Sequence, residues 1–274
     1  TKHKTQQGHS SEYHILQTPQ QNALPITFCS LRKKQMLALS FDQKQAVDLW
    51  KSGDTNVVVR AVPGAGKSLF LLWCAEVSPG SLVVAYNREL RNYMQDMIDT
   101  HEIKARCMTF HELCGHAIGA CKDDDEMEDH VQNAETGLAK VNVQCEKLLV
   151  DEAQDIRPLY LRLLHLLNPK RLVIVGDDMQ TVYDYDGATP HCLQNPADEW
   201  GGEWTSCPFQ QSFRLTHELA AFATSVCGGG EIECLSSGPR PLLKTLNLWR
   251  CAPVVLDFIK KHKDVVILTR SWRR

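Results

Sequence analysis

The sequence predicts an α/β fold in which a mostly parallel β-sheet is covered by helices. Three observations carry that expectation. Apolar runs of strand length recur at 56–60, 82–86, 147–151, 171–176 and 264–269. Helical stretches lie between them, as in 154–167, where Ile156, Leu159, Leu163 and Leu167 recur at helical spacing. The glycine-bearing segment Ala61–Ser68 sits between Val57-Val58-Val59 and Leu69-Phe70-Leu71-Leu72-Trp73, so strand, tight loop and helix follow one another. Strand–helix alternation of this kind is what a parallel sheet with helical crossovers requires.

Taken in order, residues 1–36 are rich in Gln, Thr, Ser, His and Lys, show no sustained period, and read as a flexible extension. From Leu37 the chain becomes regular. The loop Ala61-Val62-Pro63-Gly64-Ala65-Gly66-Lys67-Ser68 has the makings of a phosphate cradle. Gly64 and Gly66 let backbone N–H groups turn toward an anion, and the following helix adds the partial positive charge of its N-terminus. Lys67 is placed to reach β- and γ-phosphates, and the Ser68 hydroxyl suits Mg²⁺. The general pattern is G-x-x-x-x-G-K-[ST]; Ala61 stands at its first glycine.

The acidic run Asp123-Asp124-Asp125-Glu126, with Glu128 and Asp129, falls in the one long stretch without strand signals and reads as the solvated face of an exposed helical insertion at about 112–146. The next strand, Leu148-Leu149-Val150, delivers Asp151 and Glu152 at its C-terminal end, the edge where ligands of parallel sheets bind. Phosphoryl transfer needs one carboxylate for the Mg²⁺ shell and another to orient or deprotonate water; Asp151 suits the first role and Glu152 the second. Leu172-Val173-Ile174-Val175 repeats the arrangement and ends in Gly176-Asp177-Asp178-Met179-Gln180, where Gln180 can sense a γ-phosphate by hydrogen bond. A break near Gly201-Gly202 and Pro208 marks a domain boundary, giving a first domain at 37–205 and a second at 206–274.

Composition narrows the function classes. The net charge of −3 argues against a globally basic nucleic-acid coat while leaving room for a local basic groove. No apolar run approaches the roughly 20 residues of a membrane span, and the N-terminus lacks a signal-peptide core, so no membrane is expected and an intracellular location is the default. The 11 cysteines include no C-x-x-C pair and several sit in apolar segments, which suits reduced thiols acting as small hydrophobes. A metal site from His111, Cys114, His116 and Cys121 has a spacing that fits no common zinc pattern.

The ordered motifs resemble superfamily 1 DNA helicases of the UvrD/Rep/PcrA type. Leu39-Ser40-Phe41-Asp42-Gln43-Lys44-Gln45-Ala46-Val47 is similar to the family's adenine-reading Q motif, which implies base contact by Gln43. The family's phosphate loop begins with alanine, as A-x-[AP]-G-x-G-K-[ST], so Ala61 becomes a signature, and Pro63, Gly64, Ala65, Gly66, Lys67 and Ser68 become nucleotide-binding positions. Tyr86-Asn87-Arg88 resembles the DNA-contacting T-N-[KR] segment, Thr109-Phe110-His111 the DNA-side T-F-H, and Asp151–Asp155 the D-E-x-Q-[DN] block. Gly176–Ala188 follows G-D-x-x-Q-[ST]-I-Y-x-[WF]-R-G-A, with Tyr185 at the base-stacking aromatic and Asp186 in place of the usual arginine. Gln211-Ser212-Phe213-Arg214 resembles Q-N-Y-R-S, so Arg214 would stabilise γ-phosphate charge and Phe213 would stack on adenine. Val266–Ser271 resembles the strand I-L-x-R-[ST] of the second motor domain.

The resemblance implies a RecA-like P-loop NTPase domain followed by the start of a second RecA-like domain. It implies ATP and Mg²⁺ as cofactors, single-stranded DNA as partner, and ATP-driven translocation with 3′-to-5′ polarity. With Lys67, Asp151, Glu152, Gln180 and Arg214 as the catalytic set, Tyr86, Asn87, Thr109, Phe110, His111 and Tyr185 would be the DNA contacts. The chain ends before the family's last motifs, so it reads as an N-terminal portion whose Arg214 is loosely held. Two other readings stay open: a P-loop ATPase switch that does not translocate, and a non-catalytic nucleic-acid-binding remnant.

Overall fold

The computed structural model of the protein describes residues 36–180, 190–228, 230–241, 256–257 and 259–260. The extension at 1–35, Tyr185 and the expected strand at 264–269 lie outside the described residues.

Six strands form one sheet: β1 (Asn56–Ala61), β2 (Ser81–Val84), β3 (Ala105–Met108), β4 (Lys147–Val150), β5 (Arg171–Gly176) and β6 (Trp204–Phe209), in the order β3-β2-β4-β5-β1-β6. Every pairing is parallel. The expected parallel α/β sheet is therefore present, and it gains two strands, β3 and β6, that form no apolar run. Val57, Val59, Leu149, Val173 and Val175 point into one core, and Val58, Leu148, Val150, Leu172 and Ile174 into the other. Alternation with a period of two places them there. Because helices cover both faces, the inner strands read as continuous apolar runs.

Helices α1 (Phe41–Ser52), α2 (Lys67–Val77) and α3 (Arg88–Thr100) fill the first face. A capping box starts α1: the Gln43 backbone N–H donates to Ser40 Oγ at 3.3 Å, and the Ser40 N–H donates to Gln43 Oε1 at 2.9 Å. Trp50 locks α1 to α2 by donating from Nε1 to Cys74 O at 3.1 Å and Ser78 Oγ at 2.9 Å. The Arg171 guanidinium stacks on the same indole at 3.9 Å.

The second face holds α4 (Phe110–Ala117), α5 (Asp124–Glu135) and α6 (Pro158–Leu166). Here the acidic run departs from expectation. Asp123 caps α5 by accepting from the Glu126 N–H at 3.0 Å. Asp124 pairs with Arg157, the N-cap of α6, at 2.7 Å and with His111 of α4 at 3.4 Å. Glu128 and Glu135 both engage Arg162 of α6. Part of the acidic face is thus an ion-paired seam against α6, although its carboxylates stay partly exposed and Asp125 and Asp129 face solvent as expected.

After β5, helices α7 (His191–Gln194) and α8 (Pro196–Trp200) lead into β6, which carries the sheet past residue 205 to Phe209. A short parallel pair follows, β7 (Gln211–Ser212) with β8 (Glu233–Cys234), and α9 (His217–Cys227) lies between them in sequence. No described helix is long and apolar enough to cross a membrane.

Candidate functional site

The carboxyl ends of β1, β4 and β5 converge on a cavity of about 300 Å³ lined by Pro63, Gly64, Ala65, Gly66, Lys67, Ser68, Leu69, Tyr93, Glu152, Gln180 and Arg214. The loop Pro63–Ser68, the end of the carboxylate strand, Gln180 and Arg214 thus meet at one place, although they are far apart in sequence. Gly64 and Gly66 hold φ of 77° and 80°, the left-handed region that side-chain-bearing residues avoid. Gly66 is the N-cap of α2, so the first N–H groups of that helix open toward the cavity.

Lys67 Nζ lies 3.5 Å from Glu152 Oε2. The Ser68 hydroxyl donates to Asp151 Oδ2 at 3.0 Å, and the Glu152 N–H donates to Asp151 Oδ1 at 2.9 Å. Asp151 is only 1% exposed. Burial, then the neighbouring Glu152 charge, push its carboxyl above the usual carboxylate range, while Lys67 and these hydrogen bonds pull it down. A cation beside Ser68 and Asp151 would favour the ionised form. One carboxylate and one hydroxyl, with phosphate oxygens and water completing the shell, are the kind of donor set Mg²⁺ takes at nucleotide sites.

Glu152 itself has φ of 50°, an uncommon backbone for a residue with a side chain. Gln154 holds it there. Buried in the 3₁₀ turn Ala153–Asp155, Gln154 donates from Nε2 to Glu152 Oε2 at 3.0 Å and accepts the Asp177 N–H on Oε1 at 3.0 Å. Asp177 in turn accepts from Gln180 Nε2 at 2.6 Å. A hydrogen-bonded chain therefore runs from Glu152 through Gln154 and Asp177 to Gln180. Gln154 was legible only as one letter of a motif, because its role depends on β4 and β5 being neighbours.

The segment around Arg214 is docked on the phosphate loop. Ser212 Oγ donates to Pro63 O at 2.7 Å, and the Phe213 N–H donates to Gly64 O at 3.0 Å. Against the loose attachment expected for Arg214, the backbone just before it is anchored on the 61–68 loop, while the Arg214 side chain itself is exposed. Phe213 is half exposed beside it. Gln43 is buried, donating from Nε2 to Ala65 O at 2.8 Å. One amide hydrogen remains for a ligand.

The residues expected on the DNA side fall at the carboxyl ends of β2 and β3. Asn87 and Thr109 are helix N-caps, accepting from Leu90 N at 2.8 Å and Glu112 N at 3.3 Å. Phe110 is buried and stacks on Tyr160 at 4.2 Å with planes 9° apart. Tyr86 meets both rings edge-on at 6.3 and 6.2 Å, and His111 approaches Tyr160 at 6.4 Å. Arg157 lies over the Tyr160 ring at 4.2 Å. Sequence reading missed Tyr160 and Arg157, which sit in α6 and its cap and join this cluster only through the fold. Tyr185 lies outside the described residues.

No curated protein matches the sequence. Among solved structures, the chain is similar to the PRRSV helicase at 13% identity over 73% of this chain and 40% of that one, with a TM-score of 0.41. It is similar to the Pif1 helicase from Candida albicans at 15% identity over 65% of this chain and 41% of that one, with a TM-score of 0.40. For Bacteroides sp Pif1 in complex with ADP-AlF4 the figures are 18% identity, 69% and 46% coverage, and a TM-score of 0.37. The chain spans about 40% of the length of the first two. A sequence-family profile described as an AAA domain matches residues 43–186, from Gln43 through the phosphate loop, the carboxylates and Gln180. That match covers more than half of the chain, and the chain belongs to the AAA domain family.

Proposed function

We propose that the protein is the ATP-binding motor portion of a nucleic-acid helicase or translocase of superfamily 1. The single observation that carries this reading is the convergence of Lys67, Ser68, Glu152, Gln180 and Arg214 on one cavity. Lys67 and the loop N–H groups hold the phosphates. Glu152, oriented by Gln154, takes a proton from the attacking water, and Arg214 offsets charge developing on the γ-phosphate. Ser68 and Asp151 would hold Mg²⁺ together with the nucleotide, and the ion would supply further neutralisation of phosphate charge.

Tyr86, Asn87, Thr109, Phe110 and His111 supply the single-stranded DNA side, with Tyr86 and His111 the aromatic members less buried than Phe110. The UvrD/Rep/PcrA grouping and 3′-to-5′ polarity rest on the motif resemblance, as do Gln43 and Phe213 as adenine contacts.

The test is ATP turnover with and without single-stranded DNA in wild type, Lys67→Ala and Glu152→Gln. Lys67→Ala is expected to lose nucleotide binding; Glu152→Gln keeps it and slows hydrolysis by orders of magnitude, since shape is kept and the base is lost. Hydrolysis indifferent to DNA would favour a non-translocating switch. Equal loss of binding in both variants would overturn the assigned roles.

A further inference from the structure

Tyr93 belongs to no motif, yet it lines the cavity that holds Lys67, Glu152, Gln180 and Arg214. It is the aromatic member of that lining and reaches it from α3. The helix buries Met94 and Ile98 in the core, and Tyr93, about 100° round from Met94, is turned off that face. The residue is 54% exposed, and its hydroxyl has no hydrogen-bond partner among the described residues. An aromatic ring in the lining of an otherwise polar cavity, whose hydroxyl no protein group claims, is available to a ligand that displaces the water around it.

The topology says which part of a nucleotide that is. Helix α1, with Gln43, packs on α2 and toward β6; α3 packs on α2 and toward β3. The two helices therefore flank opposite sides of α2, whose N-terminus is the phosphate loop. Gln43 marks one flank. Tyr93 stands on the other, the side of β4 and Glu152, where the terminal phosphate must lie for Glu152 to serve its attack.

We propose that Tyr93 is a nucleotide-binding residue whose hydroxyl donates a hydrogen bond to the terminal phosphate of a nucleoside triphosphate. This rests on the nucleotide-site reading above. Since Asn87, at the carboxyl end of β2, is the N-cap of α3, the same helix then joins the expected DNA side to the triphosphate through about one and a half turns.

The experiment uses the full chain with Mg²⁺ and two probes, AMP-PNP and ADP, which differ in the terminal phosphate. A hydrogen bond to a charged group predicts that Tyr93→Phe binds AMP-PNP about ten-fold more weakly while ADP changes less than about two-fold. Tyr93→Ala should lose at least as much, and neither variant should change its melting temperature, the side chain being exposed. AMP-PNP binding within about two-fold of wild type in Tyr93→Phe would overturn the inference, as would an equal loss for ADP. Lys67→Ala separates the two readings. If wild type binds neither probe better than Lys67→Ala, the nucleotide site falls and Tyr93 with it; if wild type binds both and only Tyr93→Phe is silent, this inference falls alone.

Discussion

A methyl group on Gly64 would meet Arg214 Cβ at 2.6 Å and Ser212 Oγ at 2.7 Å, in a backbone that already disfavours a side chain. A methyl on Gly66 would meet Gln43 Nε2 at 2.7 Å. The two glycines thus do more than let the loop turn: each is the point at which a distant segment touches it. Gly64→Ala is expected to displace Arg214 and to weaken nucleotide binding by at least ten-fold, read by titration; normal binding would show that the 211–214 segment is not seated through this contact. Asp151 yields a second prediction at this scale. Its folded-state pKa is raised, so the folded state holds a proton more tightly than the unfolded chain. The group's stabilising contribution is therefore full below the unfolded pKa of about 3.9 and is lost as pH rises through the folded value. Asp151→Asn carries no charge to lose. Without divalent cations, its melting temperature relative to wild type should improve between pH 4 and pH 8, and a flat difference would argue against the raised carboxyl.

Among elements, the seam between α5 and α6 separates two kinds of ion pair. Arg162 bridges Glu128 and Glu135 with its side chain 35% exposed, whereas Arg157 is 16% exposed between Asp124 and the Tyr160 ring. Arg162→Ala should cost about 0.5–1 kcal/mol and less in high salt. Arg157→Ala should cost about 2 kcal/mol, because it strips a charged hydrogen bond and the stacking on Tyr160. Thermal or urea unfolding of both variants measures this, and equal costs would mean the seam is solvated throughout. The same elements show what the sequence could reveal. Strands β1, β2, β4 and β5 were legible because both faces are covered, leaving unbroken apolar runs. The two strands it hid are the sheet's edges: Ala105-Arg106-Cys107-Met108 carries an arginine, and Trp204-Thr205-Ser206-Cys207-Pro208-Phe209 carries a proline that an inner strand would not tolerate. The site was legible for a related reason. Phosphate-loop and carboxylate chemistry is local in sequence, whereas Gln154 and Tyr160 acquire their distant partners, and Tyr93 its place in the cavity lining, only when strands and helices are brought side by side.

For the molecule as a whole, both candidate sites stand at the carboxyl end of one sheet, with β4 and β5 between the expected DNA end at β2 and the glycine-bearing loop at β1. The net charge of −3 means that overall attraction cannot hold an anionic strand; local cations and aromatic stacking must do so. Single-stranded DNA affinity should then fall linearly in log–log terms with salt, at a slope of about −0.7 per phosphate contacted, and be largely indifferent to base sequence. If that end of the sheet joins the two sites, binding at one must alter binding at the other, and thermodynamics makes the effect reciprocal. The factor by which AMP-PNP changes the DNA dissociation constant should equal the factor by which DNA changes that of AMP-PNP. The helix that runs from its Asn87 cap to Tyr93 is the route the described residues offer, since the hydrogen-bonded chain from Glu152 to Gln180 begins and ends at the nucleotide cavity. Tyr93→Phe cuts the nucleotide end of that route, so it should shrink the factor toward one, and both factors should shrink together. Fluorescence anisotropy of a labelled oligonucleotide, with and without AMP-PNP, and the converse nucleotide titration give the two factors. A value of one in the wild-type protein would separate the sites and leave an ATPase that does not sense the strand.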